Sequence, residues 1–420
     1  MKLSRRHFLT ALPAFAAHFL VRPTIGRTQA RATPPKRVII VGGGFAGSMV
    51  ALTLRKLSPD AEVVVIEKGS VFVSAPSSLQ YVFGMVSWSE ITREYKALTS
   101  RGIRLVRAEV QSIEPIRQAV RTTTGPLEYT FLVLSTGIRL ASEEIAGLKE
   151  DPDANASLFD RSNLPELRRR VGAYQGGTIL LSVPPPPLQC PPAPYEFALL
   201  FAELIRQQRL KGKIILLDST TQPQPPSLSQ AIEQALLRNQ DIIDYVPSAR
   251  VTELDVGSRN VVTQDGEKFS YNFLSLIPPH RAALFIQEAA LSLPGDPFVD
   301  VDPFTFRSAK FETIYALGDA ARTPYARTAS SAVQSAALCA QEIARNLGVK
   351  VKSSSSFQSV CYPFVSREEA LRLRIDYSRE AGSEGPRVES RVIADTRASR
   401  AYAEQRKAWE RGLLREMFGA

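Results

Sequence analysis

Cysteine and histidine are scarce in this chain of 420 residues, with three of each. No C-x-x-C-H occurs, so no c-type haem attaches covalently to it. His7 and His18 fall in a leader-like segment, so a processed chain keeps only His280. That rules out a multi-histidine metal site and argues against a Ser-His-Asp hydrolase. Long apolar runs are missing too. The stretch Phe8 to Val21 is short and carries Pro13 and His18, and no later segment is apolar for long enough to span a bilayer. Charge of one sign is in little excess. Of the formal +10, six charges come from Lys2, Arg5, Arg6, Arg22, Arg27 and Arg31, which leaves +4 for the remainder. This is too little to argue for nucleic acid, although a modest positive field suits an anionic substrate or an acidic partner. Three cysteines are too few for a disulfide-stapled mini-protein, and the length with 44% hydrophobic residues allows two or three domains with real cores.

The N-terminus carries Ser4-Arg5-Arg6-His7-Phe8-Leu9, a twin-arginine signal, with a small-x-small cleavage site at Ala30-Arg31-Ala32. The expectation is export of a folded, cofactor-loaded protein to the periplasm.

Arg37 to Val41 reads as a buried strand, followed at once by Gly42-Gly43-Gly44-Phe45-Ala46-Gly47, a G-x-G-x-x-G turn. A helical stretch, Ser48 to Leu57, and a second strand, Ala61 to Ile66, lead to Glu67, which is 20 residues beyond Gly47. This is a dinucleotide-binding fingerprint in its full context. Gly42, Gly44 and Gly47 allow a tight turn and close approach to a pyrophosphate, Ala46 lies in that turn, and the helix start offers free amides. Glu67 is placed to accept ribose hydroxyls. Two later segments select FAD. Tyr129 to Gly137 is a strand ending in the Thr136-Gly137 turn, and Thr313 to Ala320 contains Gly318-Asp319; both resemble segments of flavoproteins with two dinucleotide domains, where the aspartate takes the flavin ribitol. An N-cap role before the following helix is the plainer reading of Asp319.

Midway, Gly177 to Val183 supplies another strand. The chain then runs Pro184-Pro185-Pro186-Pro187-Leu188-Gln189-Cys190-Pro191-Pro192-Ala193-Pro194-Tyr195-Glu196 where glycines are needed. Prolines have no N–H and no access to positive φ. A helix over Tyr195 to Arg206 and a strand over Lys213 to Leu217 still complete a β-α-β unit. The fold is kept and NAD(P)H binding is lost.

Cys190 lies in that proline loop just before a helix, where thiols tend towards reactivity. Cys339 sits on an apolar helical face and reads as core. In an oxidising compartment Cys190 and Cys361 are the remaining pair. Cys190–Glu196, the Cys361-Tyr362 segment, the twin-arginine leader, Ile277-Pro278-Pro279 and the closing Trp409…Met417-Phe418-Gly419 together resemble the flavoprotein subunit of flavocytochrome c sulfide dehydrogenase, in order along nearly the whole chain. That resemblance implies a redox-active Cys190–Cys361 disulfide beside the flavin, attacked by sulfide, with electrons leaving through a c-type cytochrome subunit. It departs at Ser74-Ala75-Pro76, where family members usually carry a flavin-binding cysteine, so FAD is expected to be non-covalent. It departs again after Asp319, where Arg322 and Arg327 stand in place of a lysine.

The resulting expectation is an α/β protein: a leader at 1–32, an FAD-binding Rossmann-like domain at 33–145 and 275–345, a second Rossmann-like domain without its glycines at 146–274, and a C-terminal α+β interface domain at 346–420. Glu196 is either a proton shuttle or a solvated charge in a first helical turn. Trp409 either closes over the site or packs the core. Two alternatives stand beside this reading. One is a membrane-surface sulfide:quinone oxidoreductase, with Trp409, Leu413, Leu414, Met417 and Phe418 dipping into lipid and Arg406, Lys407, Arg411 and Arg415 on its headgroups. The other is a flavin-binding partner subunit without catalysis.

Overall fold

The computed structural model describes residues 36–151, 157–352, 354–382 and 386–419. The twin-arginine leader lies outside them. Strand β1 (Arg37–Val41), helix α1 (Phe45–Leu57), β2 (Glu62–Glu67), β3 (Arg104–Arg107) and β4 (Phe131–Leu134) begin a parallel sheet. β1 and β2 are buried almost throughout, as parallel strands covered on both faces must be, which is why they read as unbroken Val/Ile runs.

The chain then builds a second parallel sheet. It contains β5 (Gly177–Val183), helix α2 (Ala193–Gln207), β6 (Gly212–Asp218), β7 (Ile243–Val246) and β8 (Phe273–Ser275), in the order β7-β6-β5-β8. The register Gly177↔Gly212 to Val183↔Asp218 pairs β5 with β6 along their whole length. The chain returns to the first sheet as β9 (Ile314–Ala316), giving the order β9-β4-β1-β2-β3. Helix α3 (Ala329–Asn346), capped by the Thr328 side chain, packs on α1. The architecture is two dinucleotide-binding folds of α/β type, the first completed by a late strand.

A three-stranded antiparallel sheet comes next, β10 (Ser356–Cys361), β11 (Ala370–Arg379) and β12 (Val388–Ser399), and then helix α4 (Arg400–Phe418). The buried positions of α4 are Ala403, Arg406, Glu410, Leu413, Leu414, Met417 and Phe418, a stripe at helical spacing. Leu413, Leu414, Met417 and Phe418 enter the core shared with α1 and α3, with the Phe418 ring 4.6 Å from that of Phe72. This corrects the lipid-facing reading of that helix: its apolar face is spent inside the protein, and Arg406 is buried with it. Among the described residues no helix is long and apolar enough to cross a membrane.

Candidate active site

Three glycines of the first turn are required by sterics. Gly42 has φ +97°, and a Cβ there meets the Ser135 carbonyl oxygen at 2.5 Å. A Cβ on Gly47 meets the Gly42 carbonyl oxygen at 1.9 Å, so only glycine lets α1 approach the strand. Gly43 lies under the Tyr95 ring, 2.7 Å from a Cβ built on it. The first helical bond of α1 runs from Ser48 N–H to the Gly44 oxygen at 3.0 Å. The amides before it have no intrahelical acceptor, as at any helix start. Glu67 accepts the Gly43 and Gly69 amides, each at 2.7 Å, and a carboxylate keeps lone pairs beyond those two.

This turn opens onto a cavity of about 590 Å³, within the range of small-molecule sites. Gly42, Gly44, Ala46, Glu67, Thr136, Gly137, Gly318 and Asp319 all line it, and so do Cys190, Cys361 and Glu196. Every site residue expected from the sequence except Gly47 therefore faces one cavity, and Gly47 acts through packing. Asp319 lies in a short 3-10 turn, Gly318–Ala320, and α3 takes Thr328 as its cap, so Asp319 is not the helix cap of the plainer reading. Its carboxylate accepts the Gln189 amide, and burial pushes it above the usual carboxylate range against the pull of Arg327, Gln189 and Arg161.

The cavity suits a flavin dinucleotide on grounds of its own. It joins a glycine cradle, a carboxylate with spare acceptors and a desolvated aspartate. It also holds Arg161, which no sequence signal singles out. The guanidinium of Arg161 spans both turns, 3.9 Å from a Cβ built on Gly44 and 3.7 Å from one built on Gly137, where it complements a diphosphate. Ala75 lines the cavity and offers no sulfur. Arg327, in the loop where a lysine is usual, donates to the Asp319 and Ala321 carbonyls and stacks 4.0 Å over Phe298, whereas Arg322 pairs at the surface with Asp296 and Asp300.

Cys190 and Cys361, far apart in the chain, come together as free thiols rather than as the expected disulfide, with Cys190 placed as donor to the Cys361 sulfur. Cys190 sits at φ +45°, in the left-handed region that β-carbon residues avoid. Two contacts hold it there: its amide donates to the Arg327 carbonyl at 2.8 Å, and its carbonyl accepts from Ala193 N–H at 2.9 Å. Next to it the Gln189 amide donates to Nδ1 of buried His280 at 3.0 Å. Cys361 ends β10. The hydrogen bond from Cys190 lowers Cys361 below the ordinary thiol range, helped by Arg406 and the Tyr362 amide, and raises Cys190 well above it. Cys339 is fully buried in α3 and away from the cavity lining, as a core residue.

Glu196 is no solvated charge. It is 3% exposed and pairs with Arg406 at 2.7 Å. Burial pushes its carboxyl up, and Arg406 pulls it back. Glu410, one turn on from Arg406, accepts the Ser74 and Ser77 hydroxyls. Neither Arg406 nor Glu410 is legible as a site residue in the sequence, because charges on a C-terminal amphipathic helix normally face water. Trp409 lines the cavity while also packing on the core of the first fold.

The second fold is closed from within. Asp218, at the end of β6, is fully buried. It accepts the Tyr195 hydroxyl at 2.5 Å, the Tyr245 hydroxyl at 2.9 Å and the Thr220 hydroxyl at 2.7 Å. The start of α2 is built from Pro191, Pro192 and Pro194, which have no amide hydrogens to offer an anion.

Comparison with known proteins agrees with this geometry. Residues 36–170 match the pyridine nucleotide-disulphide oxidoreductase family, and residues 166–278 match the central part of the sulfide dehydrogenase (flavocytochrome c) flavoprotein chain. The mitochondrial sulfide:quinone oxidoreductase of Dictyostelium discoideum is 23% identical over 393 residues, covering 91% of this chain and 87% of that one. The sulfide dehydrogenase (flavocytochrome c) flavoprotein chain of Chlorobaculum thiosulfatiphilum is 49% identical over 43 residues, 10% of this chain and 90% of that one. The crystal structure of the sulfide:quinone oxidoreductase of Aquifex aeolicus superposes with a TM-score of 0.75 at 19% identity, covering 91% of each chain, which shows the shared fold. The chain thus shares the fold of the flavoproteins with two dinucleotide-binding domains, and along its length it is similar to sulfide:quinone oxidoreductases and, over residues 166–278, to the flavoprotein chain of flavocytochrome c sulfide dehydrogenase.

Proposed function

We propose that this protein is a periplasmic FAD-dependent sulfide dehydrogenase that works through Cys190 and Cys361 and delivers electrons to a c-type cytochrome subunit. The observation that carries the reading is the contact between these two cysteines on the wall of the cavity that suits FAD. The similarity to sulfide dehydrogenase and sulfide:quinone oxidoreductase chains supports sulfide as the substrate.

In the oxidised protein the pair is a disulfide. Hydrosulfide attacks the Cys190 sulfur: a new sulfur–sulfur bond forms, the Cys190–Cys361 bond breaks, and Cys361 leaves as a thiolate. The direction comes from leaving-group chemistry, since the thiol with the lower pKa departs faster, and that thiol is Cys361. Cys190 then carries the persulfide. The deprotonated Cys190 persulfide then closes onto the Cys361 sulfur as a trisulfide, and FAD, when bound, would supply the acceptor for the two electrons that this oxidation releases. Glu196, buried beside the couple, accepts the persulfide proton. Cofactor binding is assigned to the Gly42–Gly47 turn with Arg161, to Glu67 and to Asp319, without a covalent link because Ala75 has no sulfur. Export rests on the twin-arginine leader.

A quinone acceptor is the second reading, favoured by the match to a sulfide:quinone oxidoreductase over 393 residues. The burial of Leu413, Leu414, Met417 and Phe418 leaves α4 without an apolar face for lipid, which supports the cytochrome. The test is anaerobic: sulfide should bleach the purified flavoprotein, and reoxidation should be fast with a soluble c-type cytochrome and slow with a short-chain ubiquinone. The reverse order of acceptors would select the quinone reading. Acid precipitation should release all the flavin into the supernatant.

A further inference from the structure

Arg406 lies mid-way along α4 and is 8% exposed. Segments remote in sequence converge on its guanidinium. Nη1 donates to Glu196 Oε1 at 2.7 Å and to the Tyr362 carbonyl at 2.8 Å. Nη2 donates to the Pro76 carbonyl and to the Gln80 side chain. The Phe364 ring packs beneath it at 4.5 Å. Tyr362 is the neighbour of Cys361. Glu196 is in the first turn of α2, which starts three residues after Cys190. Pro76 follows Ala75 on the cavity wall. One side chain thus ties both cysteine segments and the Ser74–Gln80 wall to the C-terminal helix, and Glu410 fastens the same wall through Ser74 and Ser77.

We propose that Arg406 is the positioning residue of the cysteine couple: it fixes both sulfur-bearing segments against the cavity and supplies the positive charge that Glu196 and the Cys361 thiolate share. This rests on the assignment of Cys190 and Cys361 as the redox pair.

Burial sets the charge balance. A buried guanidinium is tolerated when paired, and in the disulfide state Glu196 balances it. Opening the disulfide moves the charge of hydrosulfide onto Cys361, so a second anion appears beside the same cation. The persulfide on Cys190 then gives up its proton to the Glu196 carboxylate, so Arg406 passes from the carboxylate to the sulfur anions, and the one negative charge brought by hydrosulfide stays beside it. The ionisable groups facing the couple are Cys190 from the proline loop, Glu196 from α2, Tyr362 from the end of β10, and Arg406 and Glu410 from α4. Arg406 pulls Cys361 down and Glu196 pushes it up.

The test uses the reduced, FAD-loaded protein and the pH dependence of iodoacetamide alkylation at Cys361, read by peptide mass. Arg406→Met should raise the midpoint by about one pH unit or more, Arg406→Lys should restore most of the wild-type value, and Glu196→Gln should lower it. Equal midpoints in wild type and Arg406→Met, with FAD retained, would overturn the proposal. If Arg406→Met does not fold, the sign of the Glu196→Gln shift decides, and an upward shift overturns it. Bleaching by sulfide in Cys361→Ser would instead defeat the redox-pair assignment, a failure visible separately from the thiol titrations.

Discussion

The two dinucleotide folds of this chain share a plan and differ in what occupies the crevice. In each, a buried strand leads through a turn to a helix and then to a second strand ending in an acid: β1-α1-β2-Glu67 in the first, β5-α2-β6-Asp218 in the second. In the first, glycines let the backbone pass within the radius of a methyl group, and Glu67 keeps acceptors towards an open cavity. In the second, prolines stiffen the turn and remove donors, and Asp218 faces inward to hold Tyr195, Tyr245 and Thr220. The strand-end acid of the second fold is held by the protein's own side chains rather than turned towards a cavity. The loop after β5 carries Cys190 to the cavity of the first fold.

The difference between the folds is most exposed at Gly47. Gly47→Val places side-chain carbon where the Gly42 oxygen already stands at 1.9 Å from a Cβ, so purified protein should contain no FAD, as read from the flavin-to-protein absorbance ratio. The mirror experiment, replacing Pro184 to Pro187 with glycine, should not create NADH binding in a titration, because Tyr195 and Asp218 still fill the crevice. Next in size, Cys190→Ser and Cys361→Ser should each slow sulfide-dependent bleaching by about a hundredfold or more while FAD content stays normal, measured by anaerobic stopped flow. Tyr195→Phe removes one donor to a buried carboxylate and should cost roughly 1–3 kcal/mol in urea unfolding, with FAD affinity unchanged.

The smallest effect concerns His280, which burial, Arg327 and Arg281 push down to about 3. The folded protein keeps it neutral where the unfolded chain protonates it, at about 6.5. Its contribution is complete above about pH 6.5 and is lost as pH falls towards 3, at about 1.4 kcal/mol per pH unit. His280→Asn should lack that loss, so its stability relative to wild type should rise by about that amount between roughly pH 5.5 and 4.5 in urea titrations.

Much of the first fold is legible in the sequence because its signals are local. Strand, glycine turn, helix and Glu67 succeed one another within one β-α-β unit, and sterics at Gly42 and Gly47 leave no other residue type. The proline loop is equally legible as a turn without the amide donors that glycines would offer a phosphate. The fate of Asp218 is not, since an acid at a strand end reads the same whether it faces ligand or tyrosines. Glu196 and Arg406 are 210 positions apart, and their meeting depends on α4 returning to the cavity wall. The burial of α4 is hidden for the same reason: an apolar stripe flanked by arginines fits a lipid surface as well as a protein core, and only the packing on Phe72 decides. Arg161 lies in an irregular segment with no periodicity to mark it.

If the first fold carries a flavin fed by thiols and the second accepts no nicotinamide, the two electron donors must behave oppositely. The direct measurement is anaerobic reduction of the FAD-loaded protein by sulfide and by NADH, side by side. Flavin absorbance should be lost rapidly with sulfide and at no useful rate with NADH. Faster reduction by NADH than by sulfide would contradict this division of labour between the folds.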